Sequence, residues 1–95
     1  MAELRLAHFE SSMNWGGQEL RILEQMQWML ARGYKVWLIA RPGSAILEEA
    51  RNRGLPTYAL HVRGSLNPVT LYRLLGFLQR NRINLLDCHS NKDAY

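Results

Sequence analysis

Two polar stretches of this sequence carry residue types that could perform chemistry. The first, 11–17, reads Ser-Ser-Met-Asn-Trp-Gly-Gly and opens directly into a helical pattern. Glycines let a ligand approach the backbone, and the free N–H groups at a helix N-terminus favour an anion or a hydroxyl oxygen. Asn14, Gly16 and Gly17 are therefore candidate binding residues for a phosphate or a sugar hydroxyl. The alternative is that the two glycines only form a tight turn between a strand and a helix.

The second stretch, 89–93, offers an imidazole, a hydroxyl, an amide, an ammonium and a carboxylate within five residues. Polar groups gathered on a loop bind ligands more often than they fill a core. The alternative is a loop that leads into a further helix capped by one of its own polar side chains. The candidate site residues of this stretch are His89, Ser90, Lys92 and Asp93.

Three single residues outside these stretches have weaker signals. Cys88 precedes His89, but neighbouring strand residues point to opposite faces, so we expect no thiol–imidazole pair. Arg41 follows a predicted strand where an arginine suits a 2′-phosphate, yet the glycine fingerprint of dinucleotide-binding proteins is absent from the sequence. His8 lies within a predicted strand, and we expect it to be a hydrogen-bonded core histidine.

Strand and helix patterns alternate along the whole chain. Apolar runs predict strands at 4–9, 34–40, 57–60 and 85–88, and helical periodicity predicts helices at 18–31, 45–53 and 68–81. Such alternation indicates an α/β fold with a parallel, Rossmann-like sheet, βαβαβαβ, in the usual strand order 3-2-1-4. We expect the first two helices on one face of the sheet and the third on the other.

The predicted helices bury apolar stripes at helical spacing. The first stripe consists of Ile22, Leu23, Met26, Met29 and Leu30. The second consists of Ile46, Leu47 and Ala50. The third consists of Leu71, Leu74, Leu75 and Leu78.

This strand order predicts where the two polar stretches meet. Ligands of such sheets bind beyond the carboxyl ends of the strands, at the point where the strand order reverses. Here that point lies between the first and fourth strands. The two stretches follow those two strands, so we expect them to converge on one crevice.

Composition limits the possible classes of protein. A chain of 95 residues with 47% hydrophobic and 21% charged residues is typical of one globular domain. The longest apolar run, 36–40, is far shorter than the roughly 18 residues that span a bilayer. A single cysteine excludes an internal disulfide framework and fits a reducing compartment.

The charge is unevenly distributed. Residues 1–50 contain five basic and six acidic side chains, whereas residues 51–95 contain seven basic and two acidic ones. A basic second half suggests an anionic partner such as phosphate, anionic lipid or nucleic acid. The alternative is a solvated surface that keeps the domain soluble.

Six short motifs lie in order along the chain, at 12–19, 31–36, 40–44, 54–56, 63–68 and 88–95. The first, Ser-Met-Asn-Trp-Gly-Gly-Gln-Glu, resembles a Gly-Gly-x-Glu turn, and the last, Cys-His-Ser-Asn-Lys-Asp-Ala-Tyr, resembles a His-Ser-Ser-Lys-Asp-Ala-Trp stretch. Together the six motifs resemble the start of the amino-terminal domain of a family 4 glycosyltransferase of the GT-B fold, of the bacterial lipopolysaccharide type.

The resemblance implies an enzyme that transfers a sugar from a nucleotide-sugar donor to a glycan or lipid-linked acceptor. The Gly16-Gly17 loop would lie near the donor phosphates and the transferred sugar, and His89 near the reacting sugar. Such enzymes need no metal or cofactor and bind no nucleic acid. They are cytoplasmic, and many dock on the inner face of the membrane, where a basic patch meets anionic lipid.

The sequence also departs from the family pattern. Asp87 stands where the family often has another histidine. The second domain, with its Glu-x₇-Glu motif, has no counterpart here, so residues 1–95 are expected to be a partial acceptor-side domain that is inactive alone and self-associates. Two other classes stay open: a free-standing phosphate- or dinucleotide-binding module, and a structural assembly unit.

Overall fold

The computed structural model describes residues 4–10, 15–60 and 68–89, which contain seven regular elements. The strands are β1 (Arg5–Glu10), β2 (Lys35–Ala40), β3 (Thr57–Ala59) and β4 (Leu85–His89). The helices are α1 (Gly17–Ala31), α2 (Ala45–Asn52) and α3 (Pro68–Arg80). All seven elements were predicted from the sequence, and each observed boundary lies within one residue of the prediction.

The four strands form one parallel sheet in the order β3-β2-β1-β4, as predicted. β1 is therefore central, with β2 on one side and β4 on the other. Its last residue, Glu10, is the Cα partner of Ala40 on β2 and of His89 on β4. The carboxyl ends of β1 and β4 are thus neighbours, at the position where the strand order reverses.

Two apolar clusters cover the two faces of the sheet. Because strand side chains alternate between faces, Leu6 and Leu38 pack under α1 and α2, whereas Ala7 and Ile39 pack under α3. This confirms the expected placement of the helices. The predicted stripes of α1 and α2 are also confirmed, with Leu30 only partly buried.

The buried face of α3 differs from the prediction. Leu71 and Leu75 were expected in the core but are 43% and 51% exposed, whereas the helix buries Thr70, Leu74 and Phe77. The physical reason is aromatic packing. The Phe77 ring stacks on Tyr58 at a centroid distance of 4.2 Å and meets Trp37 edge-on at 6.4 Å, which turns Leu71 and Leu75 outward.

Candidate functional site

The candidate site lies where β1 and β4 end. The structure brings the backbone of His89 beside Glu10, at the end of the strand that precedes the Gly16-Gly17 turn. The other four candidates lie outside the described residues, so their roles stay predictions. They are Asn14, Ser90, Lys92 and Asp93.

Glu10 is a functional candidate that the sequence analysis missed. Its side chain is fully buried, and Gln18 Nε2 donates a hydrogen bond to its Oε1 at 3.1 Å. Buried acids are rare unless they are paired. Glu10 therefore fixes the exposed Gln18 amide at the start of α1. Glu10 could have been identified as an acidic residue that ends an apolar strand at the switch point, the place where the strand order reverses.

His8 and Asp87 form a second polar contact, two residues before Glu10 along β1. His8 is 1% exposed, and its Nδ1 lies 3.7 Å from Asp87 Oδ2 on the neighbouring strand. This burial confirms the expected core position of His8, while the expected hydrogen bond stays a prediction. The chain thus has a carboxylate beside His8 on the neighbouring strand. His8 and Glu10 are two residues apart, so both point to the α1 face of the sheet.

The two glycines at the start of α1 have different physical roles. A Cβ on Gly16, the N-cap residue, would lie 3.3 Å from Glu19 Oε1, whereas a Cβ on Gly17 would meet nothing within 4 Å. Glu19 is the third residue of the helix and is only 4% exposed. Gly16 therefore makes room for the Glu19 carboxyl group. Gly17 leaves the backbone open to an approaching ligand.

This difference predicts opposite effects of two matched substitutions. We expect Gly16→Ala to lower the free energy of unfolding by about 1 kcal/mol, because alanine is a poor N-cap residue and Glu19 must move. Gly17→Ala should leave stability unchanged or raise it by up to about 1 kcal/mol, since alanine is the better helix former. Urea unfolding of both variants measures this. Equal losses at the two positions would contradict the assignment.

The electrostatics at the start of α1 favour hydroxyl groups over phosphate. Glu10 and Glu19 place two buried acidic side chains around this helix end. Acidic side chains offset the positive partial charge at a helix N-terminus. This helix end therefore attracts an external anion less strongly. Of the two ligands expected at this turn, the sugar hydroxyl fits these charges better.

A cavity of about 490 Å³ begins at the same helix end. It is lined by residues along one side of α1: Gln18, Arg21, Ile22, Glu24 and Gln25. Its volume lies within the roughly 300–1,000 Å³ range of small-molecule sites. Gln18 therefore connects the buried Glu10 carboxyl group to an open cavity that also contains a guanidinium group.

The surroundings of Cys88 do not favour the thiolate form that a nucleophile needs. Burial, and then the neighbouring Asp87 carboxylate, raise the pKa of its thiol. A thiol with a raised pKa is mostly protonated at neutral pH and reacts slowly. The expectation that Cys88 and His89 form no pair stays a prediction, because the His89 side chain lies outside what the structure describes.

The fold defines a Rossmann-like α/β domain, and comparison with known proteins gives one informative likeness. The chain resembles MurG from Acinetobacter baumannii with a TM-score of 0.63 at 12% sequence identity, over 96% of this chain and 29% of that one. MurG is a GT-B glycosyltransferase of family 28. At this identity the likeness establishes the fold, and the chain spans less than a third of the MurG chain.

Searches with family models and against curated proteins give no match. Within residues 4–10, 15–60 and 68–89, no helix has the length and hydrophobicity to cross a membrane. The same residues contain no group of three or more acidic, histidine or cysteine side chains arranged to hold a metal ion.

Proposed function

We propose that this chain is part of the acceptor-side domain of a GT-B glycosyltransferase, which transfers a sugar from a nucleotide sugar to a glycan or lipid-linked acceptor. The observation that carries the proposal is the likeness to part of MurG over 96% of the chain. The ends of β1 and β4, at the switch point of that fold, are the two places from which the candidate residues extend.

The described residues support separate roles within the site. The open backbone at Gly17 and the Gln18 amide would contact hydroxyl groups of the transferred sugar. Glu10 is a positioning residue, because it is fully buried and acts through Gln18. His89 would act beside the reacting sugar. The predicted residues that complete the donor and acceptor contacts are Asn14, Ser90, Lys92 and Asp93.

The narrower assignment to family 4 and to lipopolysaccharide synthesis rests on the six sequence motifs. MurG belongs to family 28, so the structural likeness supports the GT-B class and not that subdivision. A free-standing phosphate-binding module is less favoured, because Glu10 and Glu19 surround the helix end at which a phosphate would bind. We further propose a cytoplasmic enzyme that docks on anionic lipid through its basic second half.

Binding of nucleotide sugars by the protein encoded by the complete reading frame tests this proposal. We expect calorimetric titration with uridine, guanosine and adenosine diphosphate sugars to show binding of at least one donor. Gly17→Ala should weaken it by about tenfold, because a Cβ fills the open approach to the backbone.

Gly76→Ala is the matched control for this titration. Gly76 lies within α3, and an added Cβ there would make only an ordinary contact of 3.5 Å with Arg80 Nη1. Donor affinity should be unchanged in this variant. Absence of binding to every donor, in a folded complete protein, would contradict the proposed function.

We also propose that the isolated 95-residue chain self-associates. β4 is an edge strand of the described sheet, with β1 as its neighbour, and edge strands favour pairing with another chain. Leu85 on this strand is 51% exposed, and α3 exposes Val69, Leu71, Tyr72 and Leu75. The neighbouring Leu86 is partly buried against the second core cluster and adds less to this surface.

Sedimentation at micromolar concentration tests this association. We expect a dimer or larger species, because exposed apolar patches and open edges favour pairing of identical chains. Leu85→Lys should shift the population towards monomer, since a charge on an edge strand opposes pairing. A single monomeric species of the unmodified chain would contradict the expectation.

A further inference from the structure

A second cavity, of about 260 Å³, lies between Trp15 and one face of α2. The face of α2 that lines it has residues spaced i, i+3, i+4 and i+7, which form a single stripe along a helix. These are Ala45, Glu48, Glu49 and Asn52. The other side of α2 is buried in the core. The helix is therefore held by its apolar side and presents a polar side to the cavity.

Trp15 gives this cavity an aromatic wall. Its side chain is 44% exposed, although it directly precedes Gly16, the N-cap residue of α1. An indole combines a broad apolar face with one N–H donor, which suits a ligand that has both C–H and hydroxyl surfaces. Ala45, as a small residue, leaves the space between the indole and the helix open.

The charges of the cavity favour a neutral ligand with many hydroxyl groups. Arg53 Nε donates to Glu49 Oε2 at 2.9 Å, and Arg53 Nη1 donates to Gln27 Oε1 at 3.0 Å. Glu49 is therefore held in place by a paired cation, while Glu48 adds a second carboxylate that repels anions. Carboxylates accept hydrogen bonds from hydroxyl groups, and the Asn52 amide both donates and accepts.

Size and position narrow the ligand further. The cavity volume is just below the roughly 300–1,000 Å³ range of small-molecule sites, so the cavity suits a ligand of one ring. Trp15 lies at the start of α1, and Ala45 begins α2. Both helices follow parallel strands, so the cavity lies at the carboxyl edge of the sheet, on the β2 side of β1.

We propose that this cavity binds one neutral sugar ring of the acceptor, stacked on the Trp15 indole and hydrogen-bonded by Glu48, Glu49 and Asn52. The assignment of the ring to the acceptor rests on the proposed function, whereas the binding of a sugar ring in this cavity does not. The ring would lie beside the switch-point crevice, where the transferred sugar is proposed to be held.

Nuclear magnetic resonance of the 95-residue chain tests the proposal directly. The chain has three tryptophans and so three indole N–H signals. We expect the methyl glycoside of glucose, galactose or N-acetylglucosamine to shift the Trp15 signal and the α2 amides saturably, with a dissociation constant of about 1–10 mM. Trp28 is a built-in control, because it is 53% exposed yet stacks on Arg32 at 3.9 Å, away from the cavity.

Substitutions test whether the Trp15 indole is the surface on which the sugar ring stacks. Trp15→Ala should weaken glycoside binding at least about tenfold, as measured on the α2 amides, whereas Trp28→Ala should not change it. Trp15→Phe keeps an aromatic face and should keep most of the affinity, which separates lost stacking from lost folding. Glu48→Gln should also retain binding, because the side-chain oxygen still accepts a hydrogen bond.

Choline and inorganic phosphate, used as probes, test the class of ligand. The proposal is overturned if no glycoside shifts the Trp15 signal, if Trp15→Ala binds as tightly as the unmodified chain, or if choline or phosphate binds there more tightly than every glycoside. Donor titration of the complete protein is independent of these results. If the protein binds a glycoside but no donor, the proposed function is wrong and this inference stands. If it binds a donor but no glycoside, this inference is wrong and the proposed function stands.

Discussion

We expect His89→Ala to lower the rate constant for sugar transfer by the complete protein by about 10²- to 10⁴-fold, the range typical of a lost catalytic side chain. His89 is the last residue of β4 and the Cα partner of Glu10, so it lies at the switch point of the sheet. A group beside the reacting sugar acts mainly in the transition state. The loss should therefore appear in kcat, with a smaller change in KM for the donor.

Tyr72→Ala is the control for this substitution. Tyr72 lies on α3 and is 78% exposed, so its removal should leave kcat within about twofold of the unmodified enzyme. Steady-state kinetics at saturating acceptor measure both variants. A His89→Ala enzyme with unchanged kcat would remove His89 from the catalytic site.

The second large effect concerns stability. Leu38 is fully buried at the centre of β2, between His8 on β1 and Thr57 on β3, and it packs under α1 and α2. We expect Leu38→Ala to lower the free energy of unfolding by about 3–5 kcal/mol, because the removed methyl groups leave a cavity. A domain of this size has a total stability of about 5–14 kcal/mol, so much of it would be lost.

Leu71→Ala is the matched control, since the chemical change is the same but Leu71 is 43% exposed. We expect a loss of at most about 0.5–1 kcal/mol at this position. Urea unfolding of the two variants compares them. Similar losses would show that α3 packs through Leu71 after all, as the sequence analysis expected.

Local patterns were sufficient to predict the architecture. The unbroken apolar run at 36–40 is typical of a strand covered on both faces, and the stripe at Ile22, Leu23 and Met26 is typical of a half-buried helix. Such signals depend on residues close in sequence. The known preferences for right-handed connections and for the order 3-2-1-4 then supplied the topology.

The errors and omissions came from contacts between residues far apart in sequence. The spacing of the apolar residues in α3 is compatible with two different buried faces of the helix. The stacking of Phe77 on Tyr58 of β3 determines which face is buried. The pairing of His8 with Asp87 joins strands almost 80 residues apart. The cavity between Trp15 and α2 likewise exists only because two helix ends lie side by side.

The site itself was only partly predictable. The sequence pattern could not distinguish Gly16 from Gly17. In the structure Gly16 makes room for the Glu19 carboxyl group, whereas Gly17 leaves the backbone open. This difference depends on how the side chains pack. Glu10 directly precedes the first polar stretch and was not among the candidate residues. Its complete burial and its bond to Gln18 follow from the way α1 lies over the end of β1.

Sugar transfer, measured side by side for residues 1–95 and for the protein encoded by the complete reading frame, tests the central claim most directly. With labelled nucleotide sugars and lipid-linked or glycan acceptors, we predict transfer by the complete protein only. Catalysis requires donor and acceptor to be oriented in a closed crevice. Under the proposed function, residues 1–95 would supply part of one wall of that crevice. Transfer by residues 1–95 alone, or no transfer by a folded complete protein with any donor, would contradict the account.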